Sequence, residues 1–244
     1  MATYVLVPGL FAGSWAWKFV APYLREAGHE VYPVTPTGMG DRVHLAHPDV
    51  DLWTHVQDVV NVLEYEDLTD VILVGWSYGA MVVVPVSHRV PERIQQVIVL
   101  DADLIPEDGQ SVYDINPAYR AADEPLLQAG NGWQLPPFSE DGFQGSIPDL
   151  NQRKWFVERL TPAPARTQTS PARLGNEAAF RLPSTLIRCT RSMFWNDEGA
   201  SRLLADIQSR PNWEILELEG SHLAPVAQPQ ETAAVLMQVI RSDA

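Results

Sequence analysis

The sequence predicts an α/β fold: a doubly wound, mostly parallel sheet with a cap inserted between two of its strands. Three observations predict it. Short β-rich runs alternate with segments of helical spacing through the first hundred residues, and strands that alternate with helices need crossover connections, which make neighbours parallel. The runs 70–74 and 97–100 are almost wholly apolar, as strands buried on both faces of a sheet are. The stretch 104–183 breaks the alternation and gathers many of the 20 prolines with Trp133, Phe138, Phe143, Trp155 and Phe156.

Each element has its own local reason. Residues 5–7 read as a strand that ends at Pro8-Gly9, and 17–27 as a helix closed by Gly28. Residues 31–34 form a second short strand. Apolar residues at 52, 56, 59, 60 and 63 have helical spacing, with Asp49 or Asp51 available as the cap. A buried strand at 70–74 leads to a helix at 78–89, which contains Pro85 and should kink there. After the strand 97–100 comes the Pro-rich excursion. Alternation then resumes with a strand at 185–189, a helix at 199–210, a strand at 213–218 and a last helix at 230–241. The expected division is a core of 1–103 and 184–244 and a cap of 104–183, placed above the C-terminal strand edges where open sheets bind ligands.

Composition narrows the function. At 244 residues, 45% hydrophobic and 20% charged, the chain is an ordinary globular domain and not a disordered one. Lys+Arg number 17 and Asp+Glu 31, for a net charge of −14. That surface repels phosphate backbones and anionic lipid heads, so neither nucleic acid nor a membrane is expected as a partner. Cys189 is the lone cysteine, which excludes an intrachain disulfide and a Cys-based zinc site. No apolar run approaches the roughly 18 residues that span a bilayer, and no basic segment or signal-like apolar stretch opens the chain. A cytoplasmic protein is expected, although a secreted form that had lost its signal would read the same way. A homodimer is compatible with everything in the sequence.

Gly75-Trp76-Ser77-Tyr78-Gly79 is the sharpest motif. It directly follows a buried strand and opens a helix. A serine on such a turn is held in a strained conformation, and small neighbours let the chain pack there. The turn projects Oγ outward and aims a helix N-terminus at developing negative charge. A plain strand–helix turn with a capping serine is the bland alternative; Ser77 is read as a nucleophile.

A serine nucleophile needs a base. His222, in Gly220-Ser221-His222-Leu223, follows the last strand and can reach the same sheet edge, so it is the candidate. His29 belongs to a turn, His55 to a helix face, and His88 to the far end of the nucleophile helix. His44 and His47 sit in a polar loop without a third metal ligand, and no metal is expected. The acid that orients the base should lie just past a strand end, which leaves Asp101, Asp103 and Asp197. The oxyanion requires two N–H donors. The amides of Tyr78 and of Leu10, in Pro8-Gly9-Leu10-Phe11, are the candidates. Phe11, Trp15, Trp76, Trp133 and Trp155 are candidate substrate-binding residues, with core packing as the alternative for each.

These stretches, with Gly13-Ser14-Trp15-Ala16-Trp17, the run 37–45 from Thr37-Gly38-Met39-Gly40 to Leu45, and Leu100-Asp101-Ala102, resemble the α/β-hydrolase fold superfamily. Within it they look like the branch of plant methylesterases and hydroxynitrile lyases with its bacterial relatives. The matching stretches run along nearly the whole chain in the family's order, the cap excepted. Three departures stand out. Pro8 replaces the family's usual histidine. Ser192 stands where plant members carry the triad aspartate, so the acid falls to Asp101, the position other α/β-hydrolases use. Leu223 replaces the lysine that follows the catalytic histidine in the lyases. Motifs and resemblance together point to a cofactor-independent serine hydrolase acting on an ester or lactone, and the aromatic residues near the predicted mouth suggest a largely apolar small molecule. A lyase, acyltransferase or cyclase on the same fold, or a silent ligand-binding protein, stays open.

Overall fold

The computed structural model describes residues 1–195 and 198–239. In chain order, β1 (Thr3–Val7), α1 (Ala21–Glu26), β2 (Glu30–Pro33) and α2 (Leu52–Tyr65) lead to β3 (Val71–Trp76), α3 (Gly79–Arg89) and β4 (Ile94–Leu100). An excursion follows. It carries α4 (Val112–Ile115), α5 (Pro117–Ala129), β5 (Gln134–Leu135), α6 (Leu150–Val157), β6 (Ala163–Pro164) and α7 (Arg166–Thr169). The chain returns through β7 (Ser184–Cys189), α8 (Glu198–Ser209), β8 (Trp213–Leu218), α9 (Ala224–Ala227) and α10 (Pro229–Gln238).

Six strands form one sheet in the order β2-β1-β3-β4-β7-β8, with every adjacent pair parallel. Period-two alternation divides their side chains between two cores. Val5, Val7, Leu73 and Val99 join Val56 and Val59 of α2 and Met81 of α3 on one face. Tyr4, Leu6, Val74 and Leu100 join Leu24 of α1 and Leu236 of α10 on the other. β3 is therefore apolar at every position, and β4 from Val97 to Leu100, which is why these runs lack a polar face. From β1 the chain moves one way to β2 and then back across to β3. The C-terminal ends of β1 and β3 thus meet at the topological switch point, where open sheets hold their ligands.

Local chemistry sets the element ends. Asp51 caps α2, accepting from the Thr54 amide at 3.0 Å while the Thr54 side chain turns back to the Asp51 amide; such a cap contributes about 1 kcal/mol. The helix expected over 17–27 is split instead into a 3-10 turn at Ser14–Trp17 and α1, which starts with Pro22 in its first turn. A proline's fixed φ and missing N–H suit that position and not a helix interior. The short α9 is not among the expected elements, and the last helix, expected over 230–241, is α10, opened by Pro229 in its first turn. Its expected end at 241 lies outside the described residues. α3 continues through the buried Pro85 to Arg89.

The excursion between β4 and β7 holds four short or medium helices and the two-stranded antiparallel pair β5–β6. It is tied down beside the switch point. The Thr161 amide donates to the Phe11 carbonyl at 3.0 Å, and Thr161 Oγ1 accepts from the Gly40 amide at 2.8 Å. Among the described residues no helix is long and apolar enough to cross a membrane.

Candidate active site

β3 delivers Ser77 to the switch point. The residue adopts φ 54, in the left-handed region that side chains avoid. Its amide donates to the Leu100 carbonyl of β4 at 3.0 Å, and its carbonyl starts the next turn by accepting from Ala80 at 2.9 Å. The flanking glycines make the turn sterically feasible. A Cβ on Gly75 would come within 2.5 Å of the Gly79 carbonyl oxygen, and one on Gly79 within 2.7 Å of the Val7 carbonyl oxygen. Ser77 is half-buried, and its hydroxyl makes no hydrogen bond among the described residues.

His222 enters on the loop between β8 and α9. Its carbonyl accepts the Trp76 indole N–H at 2.9 Å, and the Trp76 ring lies tilted beneath the imidazole with centroids 5.5 Å apart. The residue just before Ser77 therefore locks the histidine loop to the elbow. Ser221 adds a second clamp, donating to the Ser146 carbonyl of the excursion at 2.9 Å. The Phe194 ring packs against the imidazole at near right angles, with centroids 4.6 Å apart. Nδ1 of His222 lies 2.8 Å from Oδ2 of Asp101. A carboxylate only accepts, so Nδ1 carries a proton, and in the neutral imidazole the lone pair is then on Nε2.

Asp101 is fully buried and adopts φ 45 just past the end of β4. Its Oδ1 accepts from the Cys189 amide at 2.7 Å and from the Trp195 indole at 2.6 Å. Burial pushes the carboxyl up, but the His222 hydrogen bond and charge, with the Trp195 and Cys189 donors, outweigh it and hold the group below its ordinary value. Asp103 faces the Tyr119 hydroxyl at 3.4 Å instead, and burial raises its carboxyl. Asp197 lies outside the described residues. Ser192 is buried nearby and accepts from the Phe194 amide at 3.4 Å.

The β1 loop supplies the opposite wall. Gly9 is packed so closely that a Cβ there would lie 3.2 Å from the Ser77 Cβ and 3.6 Å from its Oγ. Phe11, two residues on, has φ 69. The Leu10 and Tyr78 amides form no hydrogen bond with other described residues. Phe11, Ser77 and Asp101 are three of the five non-glycine residues with left-handed backbone among the described residues, and all three converge here. Such strain concentrates at functional sites. The others, Asp67 and Asp70, belong to the turn that enters β3.

The aromatic candidates are placed unequally. Phe11 is buried against the exposed Phe138 of the excursion, edge to face at 5.5 Å. Trp76 is 2% exposed and sits under the histidine loop. Trp15 and Trp155 are half-buried and meet at 5.5 Å, with Trp155 also packed on Phe19, so the pair joins the excursion to the core. Trp133 is half-buried, and its carbonyl accepts from Ala165 at 2.8 Å; among the described residues no hydrogen bond or ring contact links it to Ser77 or His222. A groove of about 490 Å³ beside Pro85, His88 and Arg173 lies at the opposite end of α3 and is separate from this constellation.

Two residues near the constellation were not singled out in the sequence. Trp195 reaches Asp101 only through tertiary folding, and no local pattern announces it. His55 did carry a signal: it lies within the apolar stripe 52–63 of α2, and a histidine there must be buried with both nitrogens satisfied. The remaining histidines are elsewhere. His29 accepts from the Ala2 amide, His88 accepts from the Asn176 amide, and His47 pairs with Asp49 in an exposed loop with His44.

Comparison with known proteins fits this geometry. The sequence profile of the alpha/beta hydrolase family matches residues 4–235. A carbendazim hydrolyzing esterase from Nocardioides sp. (strain SG-4G) is 32% identical over 244 aligned residues, 97% of this chain and 98% of that enzyme. Among solved structures, an extracellular alpha/beta-hydrolase from a Paenibacillus species is 25% identical with a TM-score of 0.82, covering 99% of this chain and 100% of that one. A methylesterase from Arabidopsis shares the fold at a TM-score of 0.78 and 21% identity, covering 98% and 99%.

Proposed function

Because the chain belongs to the alpha/beta hydrolase family, in its methylesterase-like branch, and is an esterase-like enzyme of it, we propose that it is a cofactor-independent serine hydrolase. Its substrate is a carboxylic ester or lactone of a largely apolar small molecule. Ser77 is the nucleophile, His222 the general base and Asp101 the acid that orients it. The observation that carries this reading is the 2.8 Å contact from His222 Nδ1 to the buried Asp101, on a loop that Trp76 holds against the Ser77 turn.

The steps follow from that arrangement. Ser77 Oγ attacks the substrate carbonyl carbon while Nε2 of His222 takes the hydroxyl proton. The imidazolium that results is stabilised by the Asp101 carboxylate, which stays ionised. Charge on the former carbonyl oxygen is met by the Tyr78 and Leu10 amides at the start of α3 and the end of β1; one such donor contributes about 10²–10³ in rate. The tetrahedral intermediate collapses, the C–O bond to the alcohol breaks, and Nε2–H gives the departing oxygen its proton. Water then attacks the acyl-enzyme with His222 again as base, and the carboxylic acid leaves as Ser77 regains its proton.

Substrate apolarity is supported by Phe11 and Phe138 packed beside the elbow on the excursion side. The 32%-identical relative makes carbendazim a natural probe alongside simple esters. The test is hydrolysis of p-nitrophenyl acetate, p-nitrophenyl hexanoate and carbendazim by wild type and Ser77→Ala. Turnover by wild type that vanishes in the variant supports the proposal. A folded wild type that releases no product from any of the three would turn the assignment toward a lyase, acyltransferase or ligand-binding role.

A further inference from the structure

His55 is a titratable group with no place in the chemistry above, yet it touches the elbow. Its side chain is 0% exposed, within the apolar face of α2. Nε2 lies 2.8 Å from the Thr37 carbonyl oxygen, and Nδ1 lies 2.9 Å from the Tyr78 hydroxyl. A carbonyl can only accept, so Nε2 carries a proton. Burial favours the neutral imidazole, so Nδ1 holds a lone pair and takes the phenol proton. Direction and tautomer are thereby fixed without choice: Tyr78 O–H donates to Nδ1, and Nε2–H donates to Thr37.

Both ends of this relay are anchored. Thr37 is held by Asp58, which accepts from its amide at 2.6 Å and from its hydroxyl at 2.8 Å, and Asp58 also pairs with Arg42 at 3.2 Å. Tyr78 is 2% exposed, and its ring stands edge-on to His55 with centroids 5.8 Å apart. Ser77 before it is strained and Gly79 after it has no side chain, so the Tyr78 ring adds a side-chain tie to those made by the Ser77 amide and the Trp76 indole. A conformation in that region costs of order 1–3 kcal/mol and persists only where neighbours over-determine it.

We propose that His55 is a positioning residue for the oxyanion hole, acting through the Tyr78 phenol to hold the Tyr78 amide where negative charge develops. It rests on the serine-hydrolase reading above. A bond that fixes a transition-state donor and touches no substrate should act on kcat and leave KM nearly unchanged.

The experiment uses Tyr78→Phe, His55→Leu, the double variant and His55→Asn, which returns an acceptor near the Nδ1 position. Turnover of a p-nitrophenyl ester is expressed per active site, counted by fluorophosphonate labelling, so that misfolded protein does not register. Tyr78→Phe and His55→Leu should each lower kcat per site about 10–100-fold with KM within about threefold. The double variant should be no worse than the poorer single variant, and His55→Asn should recover part of the loss. Affinity for a trifluoromethyl ketone, which forms a tetrahedral adduct, should fall in step with kcat/KM. Tyr78→Phe keeps the ring and its packing but also removes the phenol's contact with Thr167, so Thr167→Val is measured beside it. If His55→Leu fails to fold, a loss in Tyr78→Phe that Thr167→Val does not share carries the test, and an equal loss in Thr167→Val would overturn the proposal. Wild-type kcat per site in Tyr78→Phe, or a rise in KM alone, would overturn the proposal while the hydrolase reading stood. A wild type that neither turns over esters nor takes the label would overturn both.

Discussion

The carboxylate of Asp101 meets the Nδ1 of His222 at 2.8 Å with no solvent exposure of its own. The two residues are 121 positions apart. They are brought together because one follows β4, the other follows β8, and both strands end at the same edge of a parallel sheet. The other oxygen accepts from the Cys189 amide and the Trp195 indole, so both oxygens of the buried ion are hydrogen-bonded, by three donors in all.

Replacing Asp101 by Asn keeps the volume but removes the charge that fixes the Nδ1–H tautomer. Turnover should fall about 10³–10⁴-fold. Asp103→Asn and Asp197→Asn should each change kcat by less than about threefold, measured on a p-nitrophenyl ester. A larger loss in either would move the acid there.

Trp195→Phe deletes one hydrogen-bond donor to Asp101 and leaves most of the packing. Burial pushes the Asp101 carboxyl up, and the donors acting against it hold it below its ordinary value. Its contribution to stability is therefore complete above the unfolded-chain value of about 3.9 and is lost as pH falls through the lower native one. Without the indole N–H the native value moves back up. Urea midpoints between pH 2.5 and 7 should show Trp195→Phe less stable at neutrality and less sensitive to acid than wild type.

His55 has the opposite chemistry and the same sign of pH dependence. Burial lowers its native pKa, so below the ordinary value of about 6.5 the unfolded chain binds a proton that the folded one refuses. Stability should drop as pH falls below about 6.5 until the native value is reached. The difference between the wild-type and His55→Leu stability curves over pH 4.5–7.5 isolates that contribution, since His29 and His88 are common to both.

Cys189 is fully buried beside Asp101, and burial followed by that charge raises its thiol well above the usual range. A thiolate is the reactive form, so the native protein should show no titratable thiol with a disulfide reagent over minutes, and one after denaturation. Rapid native labelling would mean that the Asp101 pocket opens.

Much of this architecture was legible because it rests on periodicity and on short-range steric needs. The apolar run at 71–74 could only be a strand buried on two faces, and Gly75 and Gly79 bracket a serine because no Cβ fits at either point. Asp101 and His222 were legible as residues just past strand ends. The helix expected over 17–27 came apart because Pro22 opens a helix more readily than it continues one. Trp195 was not legible at all, since its indole reaches Asp101 across 94 positions. His55 reads in the sequence only as a helix-face residue, although its place in the stripe 52–63 already requires two buried hydrogen-bond partners. Within 104–183, many prolines and very short elements leave no period to read, and the aromatic side chains there pack by tertiary contact.

The most direct measurement is mass mapping of the protein after reaction with a fluorophosphonate, with ester turnover followed in the same tube. One adduct on Ser77, formed in proportion to the activity lost and absent from Ser77→Ala together with all turnover, is the expected result. Labelling at another residue, or ester hydrolysis that survives in Ser77→Ala, would contradict a serine nucleophile at the β3–α3 turn.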